Sequence, residues 1–580
     1  MAVTQVVFSR RALIGAGATA AAAASVLPRA VAHAGEPQHE FSSLPKLDEK
    51  QSGHLRHFRN TLALPDGDWG TMVSKDPSHA GDWTGYQYQL SGMAHSLGAA
   101  HFHHMPGAPG FFRTDMDRVV QKMLRPEVWM YWFATSQGHP IFNPGQKAPN
   151  PPSWDPVARE NIMYSGHLNH VAALYAYLFN DAKYDEPGAF TFRNYQSSGF
   201  EARQAEYGLK SLNDLIFWQF VENGHIGVAC QPNAVFIGCN QFPLWGLKWQ
   251  DTRLGGTRAD ETVASHIAAW KRFGGFQDGK ETPFFWFQAQ KQIAHDKDGM
   301  FSLDEGPIMT AGNWSQWAIN AAMPDYAKSV FDFVAAGSLA RDLDGSLIVV
   351  DPQQMGVPGR RFARGTDALA GRPVPPPKKT PGENMAYAGI WGWTALTISE
   401  RQDPRLRELL AYVDTNMNPT WRDGGLYYPV RDETWVDGKF VGVTPTSGNV
   451  NYAYARLNVE DGLHKLYASD WGREHFAEPH LSDVSRDVDV IRGRFLPGKQ
   501  ALVVTLRPFR GSKGVRASLE FANLARQGQG WSLEADGKLV ASGNATELRS
   551  TQGRDAKFEN GKLSVTVPVE RETTFVLRFA

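Results

Sequence analysis

Cysteine, excess charge and long apolar runs are all scarce in this sequence. Its 580 residues include two cysteines, and 59 basic side chains stand against 60 acidic ones. A chain so close to neutrality, with no long Lys/Arg run, is not typical of proteins that bind nucleic acid or anionic membranes. No segment beyond the N-terminal region approaches 18 consecutive apolar residues, so we expect no stable membrane span. These absences favour a globular protein that acts on a small molecule or a glycan.

The N-terminus carries the pattern of an export signal. Ser9-Arg10-Arg11 precedes an Ala/Gly-rich apolar run, and Ala32-His33-Ala34 supplies small residues of the kind that signal peptidases read. The paired arginine predicts a twin-arginine signal over residues 1–34 and therefore a periplasmic or secreted protein. The alternative is a disordered tail or a retained anchor. We expect residues 35–50 to form a polar linker.

Helical periodicity dominates from residue 51 to about residue 472. Apolar residues recur at intervals of three and four, most clearly from Asn161 to Phe179. The other predicted helices are Thr114 to Val128, Leu212 to Val221, Glu261 to Arg272, Asp325 to Ala340, Met385 to Thr397, Pro404 to Met417 and Tyr452 to Tyr467. So many amphipathic helices favour a mainly α fold, and we hypothesise an (α/α)6 barrel over residues 51–472.

Short alternating runs replace this pattern near residue 475. Strands are predicted at Ala501 to Leu506, Ala517 to Phe521, Trp531 to Ala535, Leu563 to Val569 and Thr573 to Phe579. Turn-forming pairs such as Asn560-Gly561 separate them. We therefore predict a smaller antiparallel β-sandwich over residues 473–580. It carries no obvious cluster of reactive side chains, so we interpret it as an accessory domain.

The two cysteines lie close together in the segment GVACQPNAVFIGCN, residues 227–240. In an oxidising compartment, Cys230 and Cys239 are most simply a disulfide. Pro232 and Asn233 predict a turn, where backbone dipoles displace the pKa of a thiol and favour a functional role. A zinc site is disfavoured, because the spacing differs from CxxC and no histidine follows closely. The residues alone leave a disulfide and a pair of reactive thiols both open.

A second group of reactive side chains lies in ENIMYSGHLNH, residues 160–170. His167 follows Gly166 in a helical segment, where a glycine permits close approach of another backbone or of a ligand. A buried, hydrogen-bonded core histidine is the alternative. Histidines at 101, 103 and 104 fit a helix end better than a metal site. Several loop carboxylates are candidates for acid–base roles: Asp66, Asp68, Asp304, Glu305 and Asp423.

Together, the two segments resemble the bacterial linalool dehydratase/isomerase family. ENIMYSGHLNH resembles that family's ENIMY-x-GHLN helix, and VACQPNAVFIGCN resembles its segment with two active-site cysteines. Weaker likeness extends from about residue 55 to about residue 470, and the C-terminal β region lies outside it. The resemblance implies an (α/α)6 barrel. It also implies a cofactor-independent enzyme that dehydrates or isomerises an allylic terpenoid alcohol in an apolar pocket, with compounds like linalool, geraniol and myrcene as substrates or products.

The resemblance further implies roles for particular residues. Cys230 and Cys239 would be the acid–base or covalent pair, and His167 would bind the substrate hydroxyl. Asp68, with Asp66 as the alternative, is our candidate for the catalytic carboxylate. The expected pocket-lining residues are Met163, Phe236, Trp317 and Tyr88. Some positions depart from the family pattern: Gln231 and Asn233 replace carboxylates, and Asn313 replaces a tyrosine. Another alkenol than linalool is therefore compatible with the sequence.

Two other functions compete with this hypothesis. Exported helical barrels followed by β-sandwiches often act on glycans, so a polysaccharide lyase, glycoside hydrolase or epimerase is the first alternative. It requires an open groove with two facing carboxylates, and no such pair is evident in the sequence. The second alternative is a non-catalytic binding protein in which Cys230 and Cys239 form a structural disulfide. On the favoured hypothesis we expect a small apolar alcohol or alkene as partner, and neither a metal nor a cofactor. A homo-oligomer is compatible with the family resemblance.

Overall fold

The structure of the protein is a computed structural model. It describes residues 40–72, 85–140, 142–143, 145–194, 201–283, 285–293, 310–341, 346–349, 388–429, 433–436, 439–443, 448–524, 530–544, 547–550 and 555–579. The predicted export signal, Asp304 and Glu305 lie outside the described residues. No helix among the residues described is long and apolar enough to cross a membrane.

Twelve helices of ten residues or more lie in the described chain before residue 460, and we number them in chain order. They are α1 Glu49–Leu62, α2 Tyr86–Ala99, α3 Pro109–Met123, α4 Ile162–Phe179, α5 Leu209–Glu222, α6 Gln241–Leu254, α7 Arg258–Lys271, α8 Thr310–Ile319, α9 Pro324–Ser338, α10 Ala388–Glu400, α11 Arg405–Asn416 and α12 Gly448–Leu457. Shorter helices are Pro126–Trp129, Trp132–Thr135, Gly462–Tyr467 and Arg473–Ala477, and a π-helical turn covers Ala100–His104.

The even-numbered helices contact one another in a closed cycle. Helix α2 contacts α4, α4 contacts α6, and the order continues through α8, α10 and α12 back to α2. The odd-numbered helices pack outside this cycle, as α3 does against α2 and α4. Helix α4 is buried at every residue because neighbours surround it, and its sequence is accordingly apolar on most sides. The centre of the cycle is therefore lined by side chains from six separate helices.

The observed helix bounds show which helices the apolar periodicity of the sequence predicts correctly. The prediction for α4 is confirmed to within one residue at its start. A continuous helix from Tyr452 to Tyr467 is wrong, because α12 ends at Leu457 and a new helix begins at Gly462. Asp461 between them has a φ of 49°, a left-handed conformation that interrupts a helix. Periodicity does not predict α2, because its histidine, glutamines and serines are mostly buried and leave no polar face to detect.

Small antiparallel β elements connect the helices. They pair Phe190–Asn194 with Arg203–Tyr207, Leu339–Arg341 with Leu347–Val349, Thr420–Arg422 with Gly425–Tyr427, and Glu433–Val436 with Lys439–Val443, and they join Ala234–Phe236, Phe285–Phe287 and Gln292–Ile293 in one sheet. The three-stranded sheet contains the chain between the two cysteines, so its pairing helps to place both thiols.

The C-terminal part consists of antiparallel strands. They are β1 His480–Val484, β2 Val488–Leu496, β3 Ala501–Pro508, β4 Val515–Ala522, β5 Trp531–Ala535, β6 Lys538–Gly543, β7 Leu548–Ser550, β8 Ala556–Glu559, β9 Lys562–Val569 and β10 Thr573–Phe579. One sheet has the order β1-β4-β9-β8 and the other the order β2-β3-β10-β5-β6-β7. Strand β3 contacts β9 of the other sheet, and Val504 of β3 lies in the same buried cluster as Val565 of β9. The two sheets therefore bury apolar side chains in a common core.

The C-terminal strands are joined to the helices by buried contacts. Phe41, within the segment predicted as a linker, packs against Ala501 and Val503 of β3. Arg56 of α1 donates through Nε to Asp489 Oδ1 of β2 at 2.8 Å, and both side chains are buried. The described part of the predicted linker thus packs on the β region, because burial of the Phe41 ring against apolar side chains is favourable.

Candidate active site

A cavity of about 220 Å³ lies within the cycle of even-numbered helices. All six of these helices contribute to its wall, together with the loop that precedes α6. The described lining residues are Tyr88, Ser91, Gly92, His95, Met163, His167, Cys230, Gln231, Phe236, Cys239, Phe242, Trp314, Trp317, Trp393, Val450 and Asn451. None of these described residues is an aspartate or a glutamate. The cavity is smaller than the ~300–1,000 Å³ typical of drug-sized sites, so it suits a small ligand.

Two asparagines shape the loop that carries the thiols. Asn233 has a φ of 81°, which places it in the left-handed region, and its Oδ1 accepts a hydrogen bond from Ala289 N at 2.7 Å. Asn240 closes the loop: its Oδ1 accepts from Val228 N at 2.7 Å, and its Nδ2 donates to Phe236 O at 2.8 Å. Both cysteines therefore lie in a loop whose backbone is fixed by side-chain hydrogen bonds rather than by a helix.

Cys230 and Cys239 are both free thiols, and both are buried. Burial raises the pKa of Cys230 well above its ordinary value, and the neighbouring Cys239 thiol raises it further. Backbone hydrogen bonds at Phe236 and Met163 lower this pKa, but they do not outweigh burial. Cys230 is therefore held as a neutral thiol, which can donate a proton. This structure contains no disulfide between the two residues.

His167 presents a neutral imidazole to the cavity wall. Burial holds the pKa of His167 well below its ordinary value, and His170 lowers it further. Its Nδ1 lies 2.7 Å from Ser91 Oγ, whereas its Nε2 has no hydrogen-bond partner among the described residues. The edge of Tyr88 and the ring of Phe242 pack against the imidazole, with centroids 5.2 and 4.2 Å away. Nε2 is therefore the atom left to bind a ligand.

A chain of hydrogen bonds fixes the tautomer of His167. His170 Nδ1 lies 2.9 Å from the carbonyl oxygen of Gly166, which can only accept, so this Nδ1 carries the hydrogen. His170 is neutral because burial lowers its pKa to about 3, so its Nε2 is an acceptor. His95 Nε2 lies 2.9 Å from that atom and must be the donor.

The Ser91 hydroxyl completes this chain. Two ring nitrogens lie near its oxygen: His170 Nε2 at 3.4 Å and His167 Nδ1 at 2.7 Å. The lone pair of His170 Nε2 already accepts a hydrogen bond from His95. Ser91 therefore donates to His167 Nδ1, and His167 carries its own hydrogen on Nε2. The free ring nitrogen is thus an N–H donor, the polarity that a hydroxyl oxygen requires.

A buried carboxylate behind the cavity wall orients one of the tryptophans. Trp317 Nε1 donates to Glu400 Oε1 at 3.2 Å, and Tyr454 Oη donates to the same oxygen at 2.9 Å. Asn320, Asn458 and the backbone of residue 463 also donate to this carboxyl group. Burial raises the pKa of Glu400 to about 7, against the effect of these donors. Glu400 therefore ties α8, α10 and α12 together around Trp317.

The structure brings together most of the residues that the sequence singled out. Cys230, Cys239 and His167 line the cavity, and so do all four predicted pocket residues, Met163, Phe236, Trp317 and Tyr88. Sequence reasoning missed Ser91, His95 and Glu400. The predicted helix ends at Thr397, whereas α10 ends at Glu400, so this acidic residue did not stand in a predicted last turn. No local signal marked Ser91 or His95.

Asp68 does not lie at this cavity, which corrects the role predicted for it. The residue is exposed in the loop after α1, and its carboxylate accepts a hydrogen bond from Gly70 N at 2.9 Å. Asp66 nearby pairs with Arg125 at 3.0 Å, also on the surface. The Asp68 carboxylate therefore stabilises a turn, and that of Asp66 serves a surface ion pair. Asp423 has a φ of 49° in the turn between two short strands, so it too serves a turn.

The other histidine cluster has a structural role. His101 Nδ1, His103 Nε2 and His104 Nε2 lie within hydrogen-bond distance of the carbonyl oxygens of residues 105, 462 and 457 respectively. Within the described chain, no group of three or more His, Cys, Asp or Glu side chains could hold a metal ion. Their hydrogen bonds instead connect the π-helical turn after α2 to residue 105, to the last residue of α12 and to the first residue of the short helix Gly462–Tyr467.

Two solved structures to which this chain is similar are remote from it in sequence. An unsaturated glucuronyl hydrolase from Bacillus sp. GL1 is 13% identical, over 73% of this chain and 98% of that chain, with a TM-score of 0.35. An inactive variant of α-1,6-mannanase from Salegentibacter sp. HEL1_6 is 11% identical, over 70% of this chain and 98% of that chain, with a TM-score of 0.36. Likenesses this weak carry no argument about the site.

One protein family matches a large part of the chain. The model of the family described as linalool dehydratase/isomerase matches residues 87–434, which is more than half of the chain. The matched region contains α4, the thiol loop and most of the helical cycle. The chain therefore belongs to the linalool dehydratase/isomerase family.

Proposed function

We propose that this protein dehydrates or isomerises an allylic, terpenoid-type alcohol in the central cavity without a cofactor. The observation that carries the proposal is that two free thiols and a neutral imidazole donor line one cavity of otherwise mostly apolar side chains. Membership of the family supports an alkenol as the substrate class. Hydro-lyase and isomerase chemistry both follow from one allylic cation.

We also propose that the helical region is an (α/α)6 barrel and that the C-terminal strands form a β-sandwich. Alternation of inner and outer helices around the cycle supports the barrel. The shared core of the two sheets supports the sandwich. A barrel places its central cavity where residues distant in sequence converge, which suits a substrate that must be enclosed.

The first step is loss of the substrate hydroxyl. Hydroxide is a poor leaving group, so its oxygen must gain a proton as the C–O bond breaks. His167 Nε2–H donates a hydrogen bond to this oxygen, and one thiol of the Cys230–Cys239 pair supplies the proton. The step yields water, an allylic cation and one thiolate.

In the second step the allylic cation loses a proton or adds water. Trp314, Trp317 and Trp393 line the cavity, and their aromatic rings can stabilise positive charge by cation–π interaction. The thiolate takes a proton from the carbon next to the cation, which gives an alkene and restores the thiol. Alternatively, water adds to the other end of the allylic system and passes its proton to the thiolate, which gives the isomeric alcohol. Neither route transfers electrons, so neither needs a redox cofactor.

The cavity does not show the pair of carboxylates that a glycan-cleaving enzyme would require. Glycoside hydrolysis generally uses two carboxylates that flank the scissile bond. None of the described cavity residues is a carboxylate, and Glu400 is turned toward Trp317 and Tyr454 behind the wall. We therefore favour the alkenol reaction.

The test is an assay under anaerobic, reducing conditions with linalool, geraniol and longer allylic alcohols, with products separated by gas chromatography. We expect diene or isomeric alcohol from the wild type and a loss of about 10²- to 10⁴-fold in Cys230→Ala and Cys239→Ala. Gln204→Leu, on an exposed hairpin, is the matched control and should retain activity. Turnover by both cysteine variants at the wild-type rate would overturn the proposal.

We propose in addition that the protein is exported and that residues 1–34 are removed on export. The paired arginine and the small residues before Gly35 support this proposal. N-terminal sequencing of protein recovered from the periplasm or medium of the producing cells should begin near Gly35. Recovery of only uncleaved cytoplasmic protein would contradict export.

A further inference from the structure

Gln231 carries an unpaired polar atom in the wall of the cavity. The residue is only 4% exposed, and it lines the cavity directly after Cys230. Its Nε2 donates to the sulfur of Met163 at 3.5 Å, whereas its Oε1 has no hydrogen-bond partner among the described residues. Buried acceptors in native proteins are nearly always paired. Other buried amide oxygens of the described chain also lack a partner, but among these residues it is Gln231 that lines the cavity, where a ligand can supply the donor.

The orientation of this amide follows from its neighbour. The sulfur of Met163 is an acceptor, so the NH2 group of Gln231 faces it and the oxygen faces away. Rotating the amide by half a turn would place oxygen against sulfur and leave two acceptors in contact. Oε1 is therefore the end of the amide that remains for a ligand.

A second amide on another element repeats the pattern. Asn451 of α12 lines the same cavity and is 8% exposed. No side-chain hydrogen bond joins it to a described residue. Amides that come from two separate elements of an otherwise mostly apolar wall indicate a ligand with more than one polar group.

Gln231 and His167 line the cavity from different elements, the thiol loop and α4. A ligand that pairs with both residues therefore needs one polar group for each of them.

We propose that the substrate carries a second hydroxyl besides the one that leaves, and that Gln231 Oε1 accepts its hydrogen. Gln231 is thus the specificity-determining residue, and the substrate class is an allylic diol. This inference rests on the proposed function for the identity of the reacting hydroxyl. Sites built to pair with a substrate hydroxyl reject analogues that lack it, because a buried polar group is then left unpaired.

The test compares linalool with 8-hydroxylinalool, which differ by one hydroxyl at the far end of the carbon chain. Binding is measured by calorimetry and kcat/KM by product analysis, both on the reduced full chain. We expect the wild type to prefer the diol by at least ~10-fold in both measurements. Gln231→Met, of similar length but without the amide, should lose or invert this preference, and the exposed control Gln204→Leu should keep it.

The two proposals fail in different ways. Preferential binding of the diol without turnover of either alcohol would support the role of Gln231 while overturning the dehydratase proposal. Turnover of both alcohols with equal binding and equal kcat/KM would uphold the dehydratase and overturn the role of Gln231. Retention of the diol preference in Gln231→Met would also overturn it. If that variant does not fold, the wild-type ratio of the two alcohols decides.

Discussion

At the scale of single residues, the chemistry of this site depends on which ring nitrogen of His167 bears hydrogen. That choice is made by Ser91, which reaches His167 from another helix at 2.7 Å. His170 and His95 leave the serine hydroxyl no better acceptor. On the proposed function, Ser91 is therefore a positioning residue, because it would act on the substrate only through His167.

Replacing Ser91 tests this assignment. In Ser91→Ala, His167 Nδ1 loses its donor, so the hydrogen can move from Nε2 to Nδ1. We expect kcat to fall by at least ~10-fold, with a smaller change in KM. Nitrogen chemical shifts of labelled histidine should report a change of tautomer, and Ser91→Thr should restore the wild-type spectrum. An unchanged spectrum and kcat in Ser91→Ala would refute the role.

At the scale of elements, the loop between α5 and α6 protects the two thiols. Its conformation depends on Asn240, whose side chain holds Val228 and Phe236 through their backbones. A loop fixed by side-chain hydrogen bonds opens more easily than a helix when one clamp is removed.

Asn240→Ala should open this loop. We expect a loss of about 1–3 kcal/mol in the free energy of unfolding, because two backbone groups of Val228 become unpaired in a buried place. The thiols should then react faster with an alkylating reagent, and mass spectrometry of modified Cys230 and Cys239 measures the rate. Asn223→Ala, at the end of α5 outside the cavity, is the control. Equal alkylation rates in Asn240→Ala and wild type would show that the clamp is not needed.

At the scale of the whole molecule, buried charges join the helices to the C-terminal strands. Arg56 and Asp489 form an ion pair in which the side chains are 5% and 4% exposed. Arg59 and Asp115 form a second buried pair at 3.1 Å, and Arg486 from the β region reaches the same aspartate at 2.8 Å. Removing one partner leaves the other charge buried and alone.

Asp489→Leu should therefore destabilise the protein strongly. We expect a loss of about 3–5 kcal/mol, seen as a lower midpoint of thermal unfolding. The double variant Arg56→Met with Asp489→Leu should recover part of this loss, because no unpaired charge remains. A double variant less stable than Asp489→Leu would contradict the argument.

Buried histidines make the stability of the whole molecule depend on pH. Burial lowers the pKa of His57, His103 and His266 to about 4 and that of His101 and His170 to about 3. The unfolded chain binds protons near pH ~6.5 while the folded chain does not, so the stability that these histidines contribute is full above that pH and falls as the pH drops toward ~4. Glu400, whose pKa burial raises to about 7, contributes one opposing slope.

Thermal unfolding measured between about pH 7.5 and pH 4.5 checks this expectation. Each such histidine should contribute a loss of about 1.4 kcal/mol per pH unit below ~6.5. His266→Gln should reduce the slope, since one of the protons taken up on unfolding is removed. A midpoint of thermal unfolding that stays constant over the two pH units below about pH 7.5 would contradict the prediction.

The sequence by itself determined the features that depend on neighbouring residues. The period of α4, the alternation of the C-terminal strands and the two motifs with His167, Cys230 and Cys239 are all local patterns, and the structure places those three side chains at one cavity. Local order is readable because side-chain periodicity follows directly from backbone geometry.

Only the tertiary structure decided which distant residues complete the site. Ser91 lies 76 positions before His167, and Trp317 lies 83 positions before Glu400, so no local window relates them. Asp68 shared the local features of a catalytic carboxylate, yet the chain turns it outward to the surface. The tautomer of His167, the unpaired oxygen of Gln231 and the orientation of Trp317 all follow from the closure of six helices around one cavity. That closure is set by packing between elements distant in the chain, which leaves no periodic signal in the sequence.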